Sequence, residues 1–352
     1  MIGIDKTIIK GFRMELMDKD KLLKNSNVVL QEREMGVLTK GIDGSNIEID
    51  YLKVTDGHVF NYLVMGVKYN KGIRTIYSMI ELSIAEGTDS NLKPLNVSEY
   101  RNKIKRVFKY LEDMYGLYFN LDDLYLDDME INITVQMDRQ FVEYEYLLSN
   151  MVYLVPRKYE LSPYIGKDRT VKQYTFFNNA VEGKIYDKSR QLNQKFEIKR
   201  LDKQYMRIEY TLHGSKKIES VLGTRLVAEI TDKAIEEYLF KQINKDLIKP
   251  IQKHIVESDK KLLNIALDLK EKDSRRWASA FLNSAIAQKE DIRNGALPLV
   301  IDMEQIKKII GMVSPSKNRK RTLDRLRDNM DEHAYLLNNF TKLDEIIAKF
   351  TN

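Results

Sequence analysis

Residues 129–137 (MEINITVQM), 181–188 (VEGKIYDK) and 205–212 (YMRIEYTL) decide how this chain folds. Each alternates apolar and polar side chains with a period of two, the pattern of a strand that buries one face. In the first, Met129, Ile131, Ile133 and Val135 point one way, and Glu130, Asn132, Thr134 and Gln136 the other. In the second, Glu182, Lys184, Tyr186 and Lys188 share a face. In the third, Tyr205, Arg207, Glu209 and Thr211 oppose Met206, Ile208, Tyr210 and Leu212. Side by side in one antiparallel sheet, the polar faces would present carboxylates, an amide, basic groups and a tyrosine. Such a surface can hold a divalent cation through oxygen ligands and clamp a phosphate with Lys and Arg. Tyrosine is among the side chains that form covalent intermediates. The same alternation also arises in a half-solvated sheet without any function, and Glu opposite Arg or Lys is an ordinary cross-strand pair.

Outward from these strands, residues 1–90 read as further strands, punctuated by Gly36, Gly41, Gly44 and an Asn70-Lys71-Gly72 turn. A helix follows, with Ser98 as N-cap, Gly116 as its stop, and an apolar face of Ile104, Val107, Phe108, Leu111 and Tyr115. An acidic loop (LDDLYLDDME, 121–130), a helix at 142–153 and a strand in QYTFFNN (173–179) complete this part. From Asp232 the pattern is helical almost throughout. Strands first and helices after predict an α+β chain. The expected units are an antiparallel-sheet domain over residues 1–225 and a helical, winged-helix-like domain over 226–352.

Composition narrows the chemistry. The 352 residues include no cysteine, which excludes disulfides, Cys-based zinc sites and thiol nucleophiles. The four histidines, His58, His213, His254 and His333, are too far apart in sequence for a metal motif on one element. No apolar run approaches the roughly 20 residues of a membrane span, and the start (MIGIDKTIIKGF) lacks the features of a signal peptide. A soluble, cytoplasmic protein with no membrane partner is therefore expected. Nucleotide-binding glycine motifs, a P-loop and a G-x-S-x-G elbow are all missing, so nothing points to a cofactor-dependent metabolic enzyme or to ATP hydrolysis.

Charge is unevenly spread. Residues 1–150 hold 19 Lys and Arg against 24 Asp and Glu, and the rest hold 39 against 28. A basic C-terminal half suits a polyanionic partner, most often nucleic acid. Its densest part, SPSKNRKRTLDRLRD (314–328), places Lys317, Arg319, Lys320, Arg321, Arg325 and Arg327 at an expected helix start after Pro315. Cations there oppose the helix dipole, which favours an external anion such as DNA phosphate. The preceding MEQIKKIIGMV (303–313) would be the supporting helix of a helix-turn-helix or winged-helix module. Trp277 reads as a core anchor.

GKIYDKSRQL (183–192), followed by MRIEYTLHGSKK (206–217), resembles rolling-circle replication initiators of bacterial plasmids and phages. The likeness is to the phage and plasmid replication proteins named after gene II and gene X of filamentous phages, and to the initiators of small staphylococcal plasmids. These carry an "RIYNK" strand and an "RVE/RIE" strand. They also have an upstream "RIDIAI" strand, a helix and a "YPRR" stretch, which MEINITV (129–135), the helix at 142–153 and VPRKYE (155–160) match in order. The resemblance spans roughly residues 75–215. It implies a nicking–joining endonuclease of the HUH-like superfamily, in which tyrosine attacks one DNA strand to leave a 5′-phosphotyrosine and a free 3′-hydroxyl. By position, Tyr186 matches the nucleophile, Lys188 and Arg207 the phosphate-stabilising bases, and Glu209 a metal ligand or general base. Lys184 joins the DNA contacts, and Mg²⁺ or Mn²⁺ is the implied cofactor. Two departures stand out. Asn132 replaces the family's aspartate and Glu130 its arginine, so the ligand set becomes Glu209, Asn132 and Glu130; and no His-hydrophobe-His pair exists. The resemblance implies single- and double-stranded origin DNA, a host helicase and a homodimer as partners. The alternatives are a DNA-binding protein without nuclease activity, such as a theta-type initiator or regulator, and a conjugative relaxase.

Overall fold

The computed structural model describes residues 1–40, 46–57, 59–70, 73–83, 92–120, 124–166, 171–196, 203–287 and 300–351. His58, Gly41, Gly44 and the Lys71-Gly72 part of the expected turn lie outside the described residues. The strands are β1 (Ile2–Lys10), β2 (Arg13–Leu16), β3 (Val28–Lys40), β4 (Asn46–Thr55), β5 (Tyr62–Asn70), β6 (Ile73–Ser83), β7 (Leu117–Asn120), β8 (Tyr125–Met137), β9 (Glu160–Leu161), β10 (Tyr164–Ile165), β11 (Val171–Phe177), β12 (Val181–Asp187) and β13 (Gln204–His213). The helices are α1 (Lys19–Leu23), α2 (Val97–Tyr115), α3 (Glu145–Tyr153), α4 (Lys188–Phe196), α5 (Ser215–Leu222), α6 (Asp232–Ile243), α7 (Lys249–Lys272), α8 (Trp277–Ala287), α9 (Met303–Val313), α10 (Arg319–Glu332), α11 (Ala334–Leu337) and α12 (Asn339–Phe350).

Among the described residues, eleven strands form one antiparallel sheet in the order β10-β11-β12-β13-β8-β1-β6-β5-β4-β3, with β9 on β11. Helices occupy the C-terminal part, so the α+β class expected from the sequence is the class observed. Among the described residues no strand follows β13. No helix among them is long and apolar enough to cross a membrane.

Local chemistry corrects several boundaries. Helix α2 is capped by Asn96, not Ser98: its side chain accepts from Glu99 N–H while the Glu99 carboxylate accepts from the Asn96 N–H. Gly116 ends the helix at φ 67°, a left-handed conformation that glycine adopts without strain. Residues 125–128 of the expected acidic loop are strand. Their backbone pairs with β1, and Asp127 meets Lys10 at 2.5 Å. Lys188 is not on the strand face. The Asp187 carboxylate accepts from the Arg190 N–H at 2.9 Å, an N-cap that ends β12 and starts α4 at Lys188.

The apolar faces of the three deciding strands form a core. Met129, Ile131, Ile185, Ile208 and Leu212 pack with Ile235, Leu239 and Ile251 of α6 and α7, and with Leu343, Ile346 and Phe350 of α12. Each such side chain contributes about 1.5–3 kcal/mol when fully buried. A second apolar cluster gathers Leu262, Trp277, Phe281, Ile306, Ile310, Leu326 and Met330, so Trp277 is a core anchor.

Candidate active site on the sheet

Strands β12, β13 and β8 are consecutive neighbours, which aligns their polar residues in rows. Tyr186, Arg207 and Thr134 make one row; Lys184, Glu209 and Asn132 the next; Glu182, Thr211 and Glu130 a third. Strand β1 extends them, with Gly3 opposite Asn132 and Lys6 opposite Glu130. The register slips between Ile4 and Lys6, a bulge that leaves Asp5 as the extra residue. At Gly3 the Leu95 carbonyl approaches closer than any Cβ would permit.

This polar face is not solvated. Asn132, Thr134, Arg207 and Glu209 are each less than 5% exposed and Tyr186 is 5% exposed. Buried polar groups persist when they satisfy one another, and Arg207, Thr134, Glu209 and Tyr186 do. The Arg207 guanidinium donates to Thr134 Oγ1 (2.6 Å), Asp5 Oδ2 (2.8 Å) and the Leu92 carbonyl (3.2 Å), and lies 3.6 Å from Glu209. The Tyr186 hydroxyl donates a short hydrogen bond to Glu209. Lys184 sits 3.8 Å from Glu130 and 3.5 Å from Glu182. Lys188 reaches over the site from the start of α4, its Nζ 5.7 Å from the Tyr186 ring centre and 2.8 Å from Gln191.

Asp5, Glu130 and Glu209 converge: one carboxylate oxygen from each lies within 4.8 Å of the others. Burial, then the charges of Glu209 and Asp5, push the Glu130 carboxyl up to about 8. Burial followed by Glu209 drives the Tyr186 hydroxyl well above its ordinary value. Burial and the Arg207 charge bring Lys188 down to about 7. Burial alone would lower Lys184, but Glu130, Glu209 and Glu182 outweigh it and raise it. The oxygen-only donor set suits Mg²⁺ or Mn²⁺. Asn132 lies in the row of Glu209; its Oδ1 accepts from Thr134 and its buried Nδ2 has no partner.

Six of the residues read from the sequence therefore meet here: Glu130, Asn132, Lys184, Tyr186, Arg207 and Glu209. Lys188 reaches them from a helix. Asp5 escaped the sequence reading. Its only trace is an acidic residue within the otherwise β-rich run IGIDKTII, and the bulge that turns it toward the site has no sequence mark. Asp128 and His213 escaped as well. They face each other at the next level of the same two strands, 3.1 Å apart.

The basic segment belongs to the second apolar cluster. Ser316–Asn318 form one 3-10 turn, and α10 starts at Arg319. Lys317, Arg319, Lys320, Arg321 and Arg325 are exposed. Among the described residues none of the five has an acidic partner within 4.0 Å, whereas Arg327 meets Asp324 at 2.5 Å. A groove of about 660 Å³ between α9 and α10 is lined by Lys307, Arg319, Lys320 and Arg327. The Arg319 guanidinium lies against Gly311, in space that a Cβ would fill.

No family model matches this sequence, and no curated protein matches it. Among solved structures, a rolling circle replication initiator protein from Geobacillus stearothermophilus is similar over 70% of this chain and 84% of its own, at 10% identity and a TM-score of 0.34.

Proposed function

We propose that this chain is a replication initiator of the rolling-circle kind, which binds origin DNA and nicks one strand through Tyr186. The observation that carries the reading is the buried sheet face itself, where Tyr186 is bonded to Glu209 beside three convergent carboxylates and Arg207. The ordered motifs described above support it from the sequence side. In the proposed reaction the Tyr186 oxygen attacks the scissile phosphorus and its proton passes to Glu209, the base that already accepts it. The bond to the 3′-oxygen breaks. Arg207, with Lys188 above it, offsets charge on the phosphate in a water-poor site, where electrostatic stabilisation is strongest. Asp5, Glu130 and Glu209, with Asn132 from the resemblance, would hold Mg²⁺ or Mn²⁺, whose chemistry there would be that of a Lewis acid toward the phosphate.

The origin-binding part in this reading is the helical region, through Lys317, Arg319, Lys320, Arg321 and Arg325, with Lys184 contacting the strand near the nick. The division into a nicking unit over residues 1–225 and a DNA-binding unit over 226–352 is part of the proposal. The packing favours counting residues 227–251 and α12 with the first unit, since both share the sheet's core. A host helicase and a homodimer are partners that the resemblance implies.

A second reading is an origin- or operator-binding protein that does not cleave. The low exposure of Tyr186 and its raised hydroxyl favour it, as does a guanidinium already neutralising Asp5 and Glu209. Labelled single-stranded DNA from the chain's own replicon, incubated with Mn²⁺ or Mg²⁺ and run on a denaturing gel, separates the two. The nuclease reading expects a protein-linked band that Tyr186→Phe abolishes while duplex binding stays within a few-fold. Binding without nick or adduct on a confirmed origin establishes the second reading.

A further inference from the structure

We propose that Tyr164 is a stacking platform for the unpaired base next to the scissile phosphate, so that a single DNA strand enters the site across the β10 edge of the sheet. The proposal rests on the nuclease reading and adds the path by which the substrate reaches Tyr186.

The strand register carries it. Tyr164 of β10 pairs with Gln173 of β11, and Gln173 with Tyr186 of β12. Tyr186 pairs with Arg207 of β13, and Arg207 with Thr134 of β8. The register slips only at Ile165, one residue beyond. Residues directly opposite one another on neighbouring strands project to the same face. One row therefore runs from the sheet edge to the buried site. Strands lie about 4.8 Å apart, which sets the Tyr164 backbone about 10 Å from that of Tyr186. A single nucleotide bridges a distance of that order, its phosphate at one tyrosine and its base on the other.

Burial falls steadily along the row. Thr134 and Arg207 are 1% exposed, Tyr186 is 5% exposed, Gln173 is half-buried and Tyr164 is 64% exposed. The other side of the face is closed by backbone at Leu92 and Leu95, which bonds Arg207 and crowds Gly3. Among the described residues, the β10 side is thus the open approach to Tyr186. The stretch between the two tyrosines is polar, with the Gln173 amide donating to Thr175 Oγ1 at 2.9 Å. A sugar–phosphate linkage crosses such a surface without setting its charge against apolar groups. Isolated exposed aromatics are common on protein surfaces. Tyr164 differs by its place, at the entrance of a row that ends on the proposed nucleophile. Aromatic faces on which bases stack are the usual means of holding single-stranded DNA without sequence preference.

The test follows the base and not the cut. The nick position is mapped with the full-length protein and Mn²⁺. Single-stranded oligonucleotides spanning it are then made with 2-aminopurine at each flanking position in turn. Binding is measured in a Tyr186→Phe background, which leaves the strand whole. One position should lose fluorescence on binding, as 2-aminopurine does when it stacks. Adding Tyr164→Ala should restore that fluorescence and weaken single-strand binding about tenfold, whereas Tyr164→Phe should keep affinity within about twofold, because the ring carries the stacking. Duplex binding should change in neither, which separates the effect from a loss of folding. Unaltered single-strand affinity in Tyr164→Ala, or an equal loss in Tyr164→Phe, overturns the platform. So does the absence of any position whose quenching depends on Tyr164. In each of these cases the nuclease reading stands, provided that the wild-type protein forms its covalent adduct. A wild type that forms no adduct on a confirmed origin removes the nuclease reading and this role with it.

Discussion

At the scale of single residues, the site is a buried balance of charge. Arg207 holds Asp5 and Glu209, and Glu130 is left with Lys184 at a longer distance. Burial and two neighbouring carboxylates therefore keep a proton on Glu130 up to about pH 8, against an ordinary value of 4.5. The sign of the linkage is fixed by this. Between pH 4.5 and 8 the folded chain binds the proton that the unfolded chain has lost, so Glu130 makes stability fall as pH rises through that window. Glu130→Gln removes the titration. Its stability relative to wild type should climb from pH 4.5 to 8 by up to about 1 kcal/mol per pH unit, and level off above. Urea denaturation of both proteins at several pH values checks it; a flat difference would mean that Glu130 is ionised in the fold. Most of the residues in this balance were legible as the polar positions of three alternating strands. Asp5 was not, because a bulge changes which face a residue points to without changing the residues themselves.

At the scale of elements, one contact ties the end of the chain to its centre. Glu345 of α12 accepts from the Asp138 N–H (2.8 Å), Arg139 (2.7 Å) and the Tyr144 hydroxyl (2.6 Å), and meets Lys349 at 3.1 Å. The first three lie just after β8 and at the approach to α3, and Lys349 is on α12 itself. Glu345→Ala should cost about 2 kcal/mol, since hydrogen bonds to a charged group are lost and buried donors are left without an acceptor. Hydrogen exchange should then accelerate first in α12. Uniform acceleration across the sheet would count against a local tie. That the chain is helical here was legible, but the destination of this helix was not. Element starts followed the same divide. Asn96 and Asp187 both cap helices through side-chain geometry, whereas the sequence offered Ser98 as an equally good cap and extended β12 by one residue to Lys188.

At the scale of the whole molecule, a dense group of exposed basic residues sits on a module with its own apolar cluster. Lys317, Arg319, Lys320, Arg321 and Arg325 stand exposed and clear of acidic partners among the described residues. Replacing Arg319, Lys320 and Arg321 together by Ala should weaken duplex binding. It should also make the log–log salt dependence shallower by about 2–3, because each lost phosphate contact removes close to one released counterion. Fluorescence anisotropy across a salt series reads both. An unchanged slope would take the phosphate contacts away from this helix. The charge asymmetry, the α+β class, the helical C-terminal part and the alternation of the three central strands were all determined by the sequence alone, because composition and periodicity are local properties. The tertiary structure decided which strands are neighbours. It brought β1 against β8 across more than a hundred residues, turned Asp5 inward at a bulge, set His213 opposite Asp128 and buried the polar face under the Leu92–Leu95 backbone. Those outcomes depend on pairing register and on what packs over a sheet, and neither is written in any short stretch of residues.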